Sequence, residues 1–192
     1  MLSENRKTIE IFYIISFIIL AVGSLSGSLY FKYNFEGTDE VKQYMTEYVA
    51  SLRAGMNYKT IINASIKSYT ILIGIIAFGA FFKFGPLLSS GALLRKAFVN
   101  AFTVSAMLDV YSLKGIILSA VLLPQIILIF PLAALLNSVC ITYSGKKAFF
   151  EKKDKIIYII FLIIIFTIFC ISAVCEGLLT TTFMKWAANK VT

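Results

Sequence analysis

Histidine is absent from this 192-residue chain. With it go imidazole acid–base catalysis, Ser-His and Cys-His nucleophile pairs, and His-ligated zinc. Charge is scarce too: Asp, Glu, Lys and Arg make up 15% of residues, against about 25% in soluble domains. Cysteine occurs three times, as Cys140, Cys170 and Cys175, always in apolar runs and without CxxC spacing. An odd count of this kind implies neither a disulfide framework nor a metal cage, and the three read as buried apolar fillers. Walker A, Gly-rich nucleotide-loop and HExxH patterns are also missing. The sequence thus predicts no catalytic residue, no metal and no cofactor.

Apolar residues are in excess, at 59% of the chain, with a mean hydropathy of +0.85. Soluble domains hold about 45–50%, so the surplus must face lipid. The net charge of +8 does not point to nucleic acid, because the basic residues edge the apolar runs instead of forming a patch with stacking aromatics.

A helix crosses the roughly 30 Å hydrocarbon layer with about 20 apolar residues. Ile11 to Phe31 has no charge over 21 residues and reads as an uncleaved signal anchor, being longer than the roughly 7–15 residues of a signal-peptide core. A second run follows Lys67 and is interrupted by Lys83, Gly85 and Pro86 before Arg95-Lys96. Pro86 predicts a kink in one long helix to Leu94. Ala97 to Leu108 is short, Gly115 to Thr142 is uncharged, and Ile156 to Thr182 is broken only by Glu176. The loop with Lys146, Lys147, Lys152, Lys153 and Lys155 is the densest basic cluster, and Arg6-Lys7 precede the first span. Both belong in the cytoplasm by the positive-inside rule, so an even number of crossings must separate them and the short third stretch must cross. Short loops and tails then carry nine Lys and Arg inside and three outside. An alternative register puts Lys83 inside and Arg95-Lys96 within the third span, at about 2.5–3.5 kcal/mol per charge at mid-membrane.

The predicted class is an all-α polytopic integral membrane helical bundle. It forms a single membrane domain over 1–192, with about five transmembrane helices at about 11–31, 67–94 (kinked), 97–112, 115–142 and 156–182. The N-terminus is cytoplasmic and the C-terminus extracytoplasmic. An extracytoplasmic amphipathic helix lies in the loop 32–66, where Val41, Tyr44, Met45, Tyr48, Val49 and Leu52 form one apolar stripe. Thr38 is its expected N-cap, with Asp39 and Glu40 in the first turn and Gly55 as its stop. The stripe reads either as a docking surface for a partner or as a face laid on bilayer or bundle.

Within the spans, Glu176 is a functional-site candidate by cost alone. Lys67, Lys114 or Thr180 are its expected partners, and its role is either a helix–helix clamp or contact with a transported ion or substrate. Gly23 and Gly27 form a GxxxG pair suited to close helix approach, within the chain or between copies of a homo-oligomer. Pro124, Gln125 and Pro131 mark a kinked fourth span, which either shapes the bundle or lines a polar crevice.

The order of these features resembles the stage II sporulation protein M family. A basic N-terminus and first span precede an amphipathic external loop; Gly85-Pro86 comes next, then Lys114-Gly115 leading into Leu122-Leu123-Pro124-Gln125 and Pro131, and last a late intramembrane Glu176. The similarity runs from about Thr8 to Lys185. The resemblance implies a noncatalytic membrane scaffold of the engulfment machinery, with stage II sporulation proteins D and P, peptidoglycan hydrolases, as partners at the mother-cell side of the septum. A transporter or permease-type subunit using the kinked fourth span and Glu176 is the alternative.

Overall fold

The computed structural model describes residues 6–53, 58–123, 125–144 and 152–190, and every regular element among them is helical. The helices are α1 (Arg6–Asn34), α2 (Asp39–Arg53), α3 (Tyr58–Gly79), α4 (Gly85–Tyr111), α5 (Leu113–Ser119), α6 (Phe130–Tyr143) and α7 (Lys152–Lys190). Between α5 and α6 lie a 3₁₀ turn, Ala120–Leu122, and a π turn, Gln125–Ile129. Among the described residues, four stretches are long and apolar enough to cross a bilayer: Arg6–Asn34, Tyr58–Gly79, Ile126–Tyr143 and Tyr158–Leu178. The chain is an all-α membrane bundle. Its outer surface carries large apolar side chains such as Ile14, Leu25, Ile71, Ile163 and Ile171, each half-exposed or more, as a surface solvated by lipid must.

α1 and α4 run side by side in the same direction, because the GxxxG face of α1 has no side chains to hold them apart. A Cβ at Gly23 would lie 2.7 Å from the Leu94 carbonyl oxygen, and one at Gly27 3.0 Å from the Phe98 carbonyl carbon. Farther along, Phe31 packs edge-on against Phe102, and the Gly37 N–H donates to Asp109 Oδ2 at 3.0 Å. α3 and α7 are antiparallel. Tyr158 donates to the Ala77 carbonyl near one end, Tyr69 meets Phe169 in the middle, and Ile62 lies over Gly177 near the other end. Leu93, Ala97, Leu136, Ile165 and Phe169 fill the core between these pairs.

Two boundaries differ from the sequence expectation. The second span does not continue through Pro86 to Leu94: α3 ends at Gly79, and α4 starts at Gly85 with Pro86 in its first turn. There the missing N–H costs no helical hydrogen bond, so the proline starts a helix instead of kinking one. The turn between them is tight enough that Gly79 and Gly85 touch backbone to backbone. As a consequence Arg95 and Lys96, expected in a loop before a third span at 97–112, lie in mid-helix. The uncharged fourth run is not one helix either: α5 follows a turn at Ser112, whose φ is 49°, and the run then passes through the 3₁₀ and π turns before α6. Pro131 lies two residues past the π turn, and a wider turn accommodates a residue that cannot bond back to its i−4 carbonyl.

α2 forms as expected, with Asp39 and Glu40 in its first turn. Thr38 precedes it, and its hydroxyl donates backwards to the Phe35 carbonyl at 2.8 Å. Gly55 lies outside the described residues.

Candidate functional site

Two clusters of buried polar side chains link helices among the described residues. The first is built on Glu176 of α7, which is 6% exposed. The Tyr69 hydroxyl of α3 donates to Glu176 Oε2. Tyr69 is itself buried and held by Phe169, whose ring stands at 78° to its own with centroids 5.7 Å apart. Lys96 Nζ of α4 sits 5.4 Å from the centre of the Tyr69 ring, a cation–π contact. Tyr69 therefore joins three helices, its hydroxyl bonded to Glu176 of α7 and its ring beneath Lys96 of α4. This geometry is that of a clamp across three helices, and the aromatic face offsets part of the hydration that Lys96 loses within an apolar bundle.

The second cluster joins α1, α4 and α6. Asn137, fully buried, donates through Nδ2 to Ser16 Oγ at 2.9 Å and to Ser90 Oγ at 3.5 Å. Ser16 in turn donates to the Phe12 carbonyl at 2.8 Å. Interhelical amide–hydroxyl bonds of this kind fix helix rotation in a medium where apolar contacts do not.

Glu176 is buried and meets Tyr69, whose ring in turn carries Lys96; the Thr180 side chain lies outside the described residues. Neither Tyr69 nor Lys96 stood out in the sequence. Lys96 was masked by Arg95 beside it, since two adjacent cations read as a loop signal, and Tyr69 by its place at the start of an apolar run. Asn137 is an amide in an uncharged span, and nothing in its local sequence sets it apart from Gln125. Pro124 and the Gln125 side chain lie outside the described residues. Pro131 is half-buried in the first turn of α6.

Gly23 and Gly27 are buried against α4, so that face is filled within the chain and gives a second copy no place to pack. The α2 stripe requires a correction of the docking reading. Val41 is half-buried and Met45 is 5% exposed, both packed with Phe31, Phe102 and Met107, and the Met45 carbonyl accepts from the Tyr111 hydroxyl at 3.3 Å. These two residues face the bundle because Phe31, Phe102 and Met107 leave apolar surface there that α2 covers. Tyr44 is exposed; the side chains of Tyr48, Val49 and Leu52 lie outside the described residues.

Among the described residues no three metal-ligating side chains cluster, and the cysteines are free. No protein-family model, curated protein or solved structure matches this chain.

Proposed function

We propose that this chain is a noncatalytic membrane scaffold of the sporulation engulfment machinery, similar to stage II sporulation protein M, which positions peptidoglycan hydrolases at the septal membrane. The observation that carries the scaffold reading is the clamp: the costliest intramembrane group, Glu176, is engaged by Tyr69 of its own bundle, whose ring also meets Lys96, and so holds helices together. Sporulation rests on the residue order alone, from the Leu-Pro-Gln step at 123–125 with Pro131 to Glu176. The partners by that resemblance are stage II sporulation proteins D and P.

In this reading α4 is a fifth crossing, since it lies along α1 from Gly23 to Gly37. The N-terminus, the 80–84 turn with Lys83 and the lysine-rich loop after Tyr143 face the cytoplasm, in keeping with the positive-inside rule. α2, the turn at Ser112 and the C-terminus face outward. Partners then meet the outward surface of α2, which presents Tyr44, Gln43 and Glu47.

Affinity purification from sporulating cells tests the proposal. The wild-type chain is expected to bring down both hydrolases, and Tyr44→Glu to stay inserted but lose them. A wild-type eluate free of hydrolases overturns the proposal; hydrolases retained by Tyr44→Glu remove α2 from the contact. A permease-type subunit is the second reading, favoured by the π turn before Pro131, a backbone irregularity frequent at functional sites. Its test is solute flux into liposomes that Glu176→Gln abolishes.

A further inference from the structure

A groove between α3 and α4 opens onto the lipid face of the bundle, where Ile71, Phe78 and Leu87 stand half-exposed or more. Its lining recurs at every fourth residue, at Lys67, Ile71 and Ile75 on α3 and at Leu87, Gly91, Arg95 and Val99 on α4. Each wall is therefore one ridge of a helix, and two such ridges side by side form a seat into which a third helix packs. Gly91 keeps the seat open. Unlike Gly23 and Gly27, whose Cβ positions meet the α4 backbone, it has nothing within 4 Å, and small residues of this kind let helices approach closely in membranes.

Three charged residues line the groove, Lys67, Arg95 and Lys96, and all are cations. Lys96 meets the Tyr69 ring. Lys67 and Arg95 are exposed, and among the described residues neither forms an ion pair with a carboxylate. Counted from the turn where Gly79 touches Gly85, Lys67 stands twelve residues back along α3 and Arg95 ten residues on along α4, about 18 Å and about 15 Å at 1.5 Å per residue. With α4 crossing as read above, both lie near the middle of a core about 30 Å thick, where no headgroup phosphate reaches them.

We propose that this groove seats a membrane-spanning helix of a second, different protein, one that carries Asp or Glu near its midpoint, and that this carboxylate pairs with Arg95 and Lys67. Charge complementarity carries the assignment, and the depth rests on the crossing of α4 proposed above. An unmatched cation at mid-membrane is costly, and intramembrane ionisable groups pair with one another. A carboxylate matches the guanidinium fork, and such charge-assisted bonds are the strong ones. A second copy of this chain has no carboxylate to offer at that depth. The apolar stretches 11–31, 58–79, 126–143 and 158–178 hold one acid, Glu176, and it is buried against Tyr69. Asp109, the acid of α4, lies toward the far end of that helix and accepts from the Gly37 N–H.

The probe that tests this is a Lys-flanked Leu–Ala spanning peptide with one Asp at its midpoint, compared with the same peptide carrying Leu there. Resonance energy transfer to the labelled full chain in phosphatidylcholine vesicles reads the binding. Wild type should bind the Asp peptide about 3- to 20-fold more tightly than the Leu peptide, the range that interhelical polar contacts cover in membranes. Lys67→Gln with Arg95→Gln should abolish the preference. The charge-preserving pair Lys67→Arg with Arg95→Lys should keep it, and Lys42→Gln, on the exposed side of α2, should not change it. Gly91→Phe supplies an independent arm, since its ring fills the seat where a Cβ meets nothing within 4 Å and should weaken binding of the Asp peptide. Equal binding of the two peptides by wild type, or a preference that survives the Gln pair or Gly91→Phe, overturns the proposal. Energy transfer between two labelled copies of the chain that the Gln pair removes overturns it too, by making a second copy the occupant. Maleimide labelling of Phe84→Cys and Leu113→Cys in the same vesicles separates the two readings: where they react from opposite sides, equal peptide binding overturns the helix seat alone, and where they react from one side, the crossing of α4 falls and the helix seat with it.

Discussion

Removing the Tyr69 hydroxyl isolates the contact on which the three-helix clamp depends. Tyr69→Phe keeps the ring, and with it the packing on Phe169 and the face beneath Lys96, but leaves Glu176 without that donor. Hydrogen bonds to charged groups contribute about 1.5–3 kcal/mol in water-soluble proteins, whereas interhelical bonds in membranes average about 0.6 kcal/mol with a maximum near 1.7. Burial of both partners places this one toward the upper membrane figure, so a loss of about 1–2 kcal/mol is expected. Glu176→Gln removes the charge that offsets Lys96 as well, and an uncompensated cation costs about 2.5–3.5 kcal/mol in mid-membrane; its loss should exceed that of Tyr69→Phe. Adding Lys96→Gln to Glu176→Gln should then restore part of the stability. The assay is reversible unfolding in mixed micelles with SDS, followed by helical circular dichroism, on the single and double variants. A Tyr69–Glu176 coupling energy below about 0.3 kcal/mol, within ordinary additivity error, would refute the clamp. So would a Lys96→Gln, Glu176→Gln double variant less stable than Glu176→Gln alone.

Two further outcomes follow from the packing. Gly27→Leu drives a side chain into the Phe98 backbone and should cost at least the roughly 1–3 kcal/mol of an overpacked core, read in the same unfolding assay, while Gly74→Leu, where a Cβ meets nothing within 4 Å, should be nearly neutral. Met45→Lys places a charge in the buried contact between α2 and the α1–α4 pair; limited proteolysis should then cut within 39–53 faster than in wild type, with the spans intact.

The helical class and the membrane setting were legible in the sequence, because runs of about 20 uncharged residues have few other uses. Glu176 was legible for the same reason inverted: a carboxylate in such a run must be compensated. What compensates it was not, since Tyr69 is 107 positions away in the chain and periodicity carries no information about pairing at that range. The same holds for Asn137 and Ser16, 121 positions apart. Arg95-Lys96 misled because a charge rule that treats each residue alone assigns adjacent cations to water. Lys96 stays in the bundle because the Tyr69 ring meets it there. Pro86 misled because a proline in the first turn of a helix and one in its interior look alike until the boundary is known. The α2 stripe showed a helix with one apolar face but not what covers it; Phe31, Phe102 and Met107, gathered from α1 and α4, cover its Met45.

Whether α4 crosses the membrane with Arg95 and Lys96 inside it decides the whole arrangement, and substituted-cysteine labelling in intact cells measures this directly. In a chain with Cys140, Cys170 and Cys175 replaced by alanine, single cysteines at Phe84, Arg95 and Leu113 are exposed to a membrane-impermeant maleimide. Leu113→Cys should react from outside, Phe84→Cys only after permeabilisation, and Arg95→Cys slowly from either side. Arg95→Cys reacting as fast as Phe84→Cys after permeabilisation, or Phe84→Cys and Leu113→Cys reacting from the same side, would rule out a crossing α4.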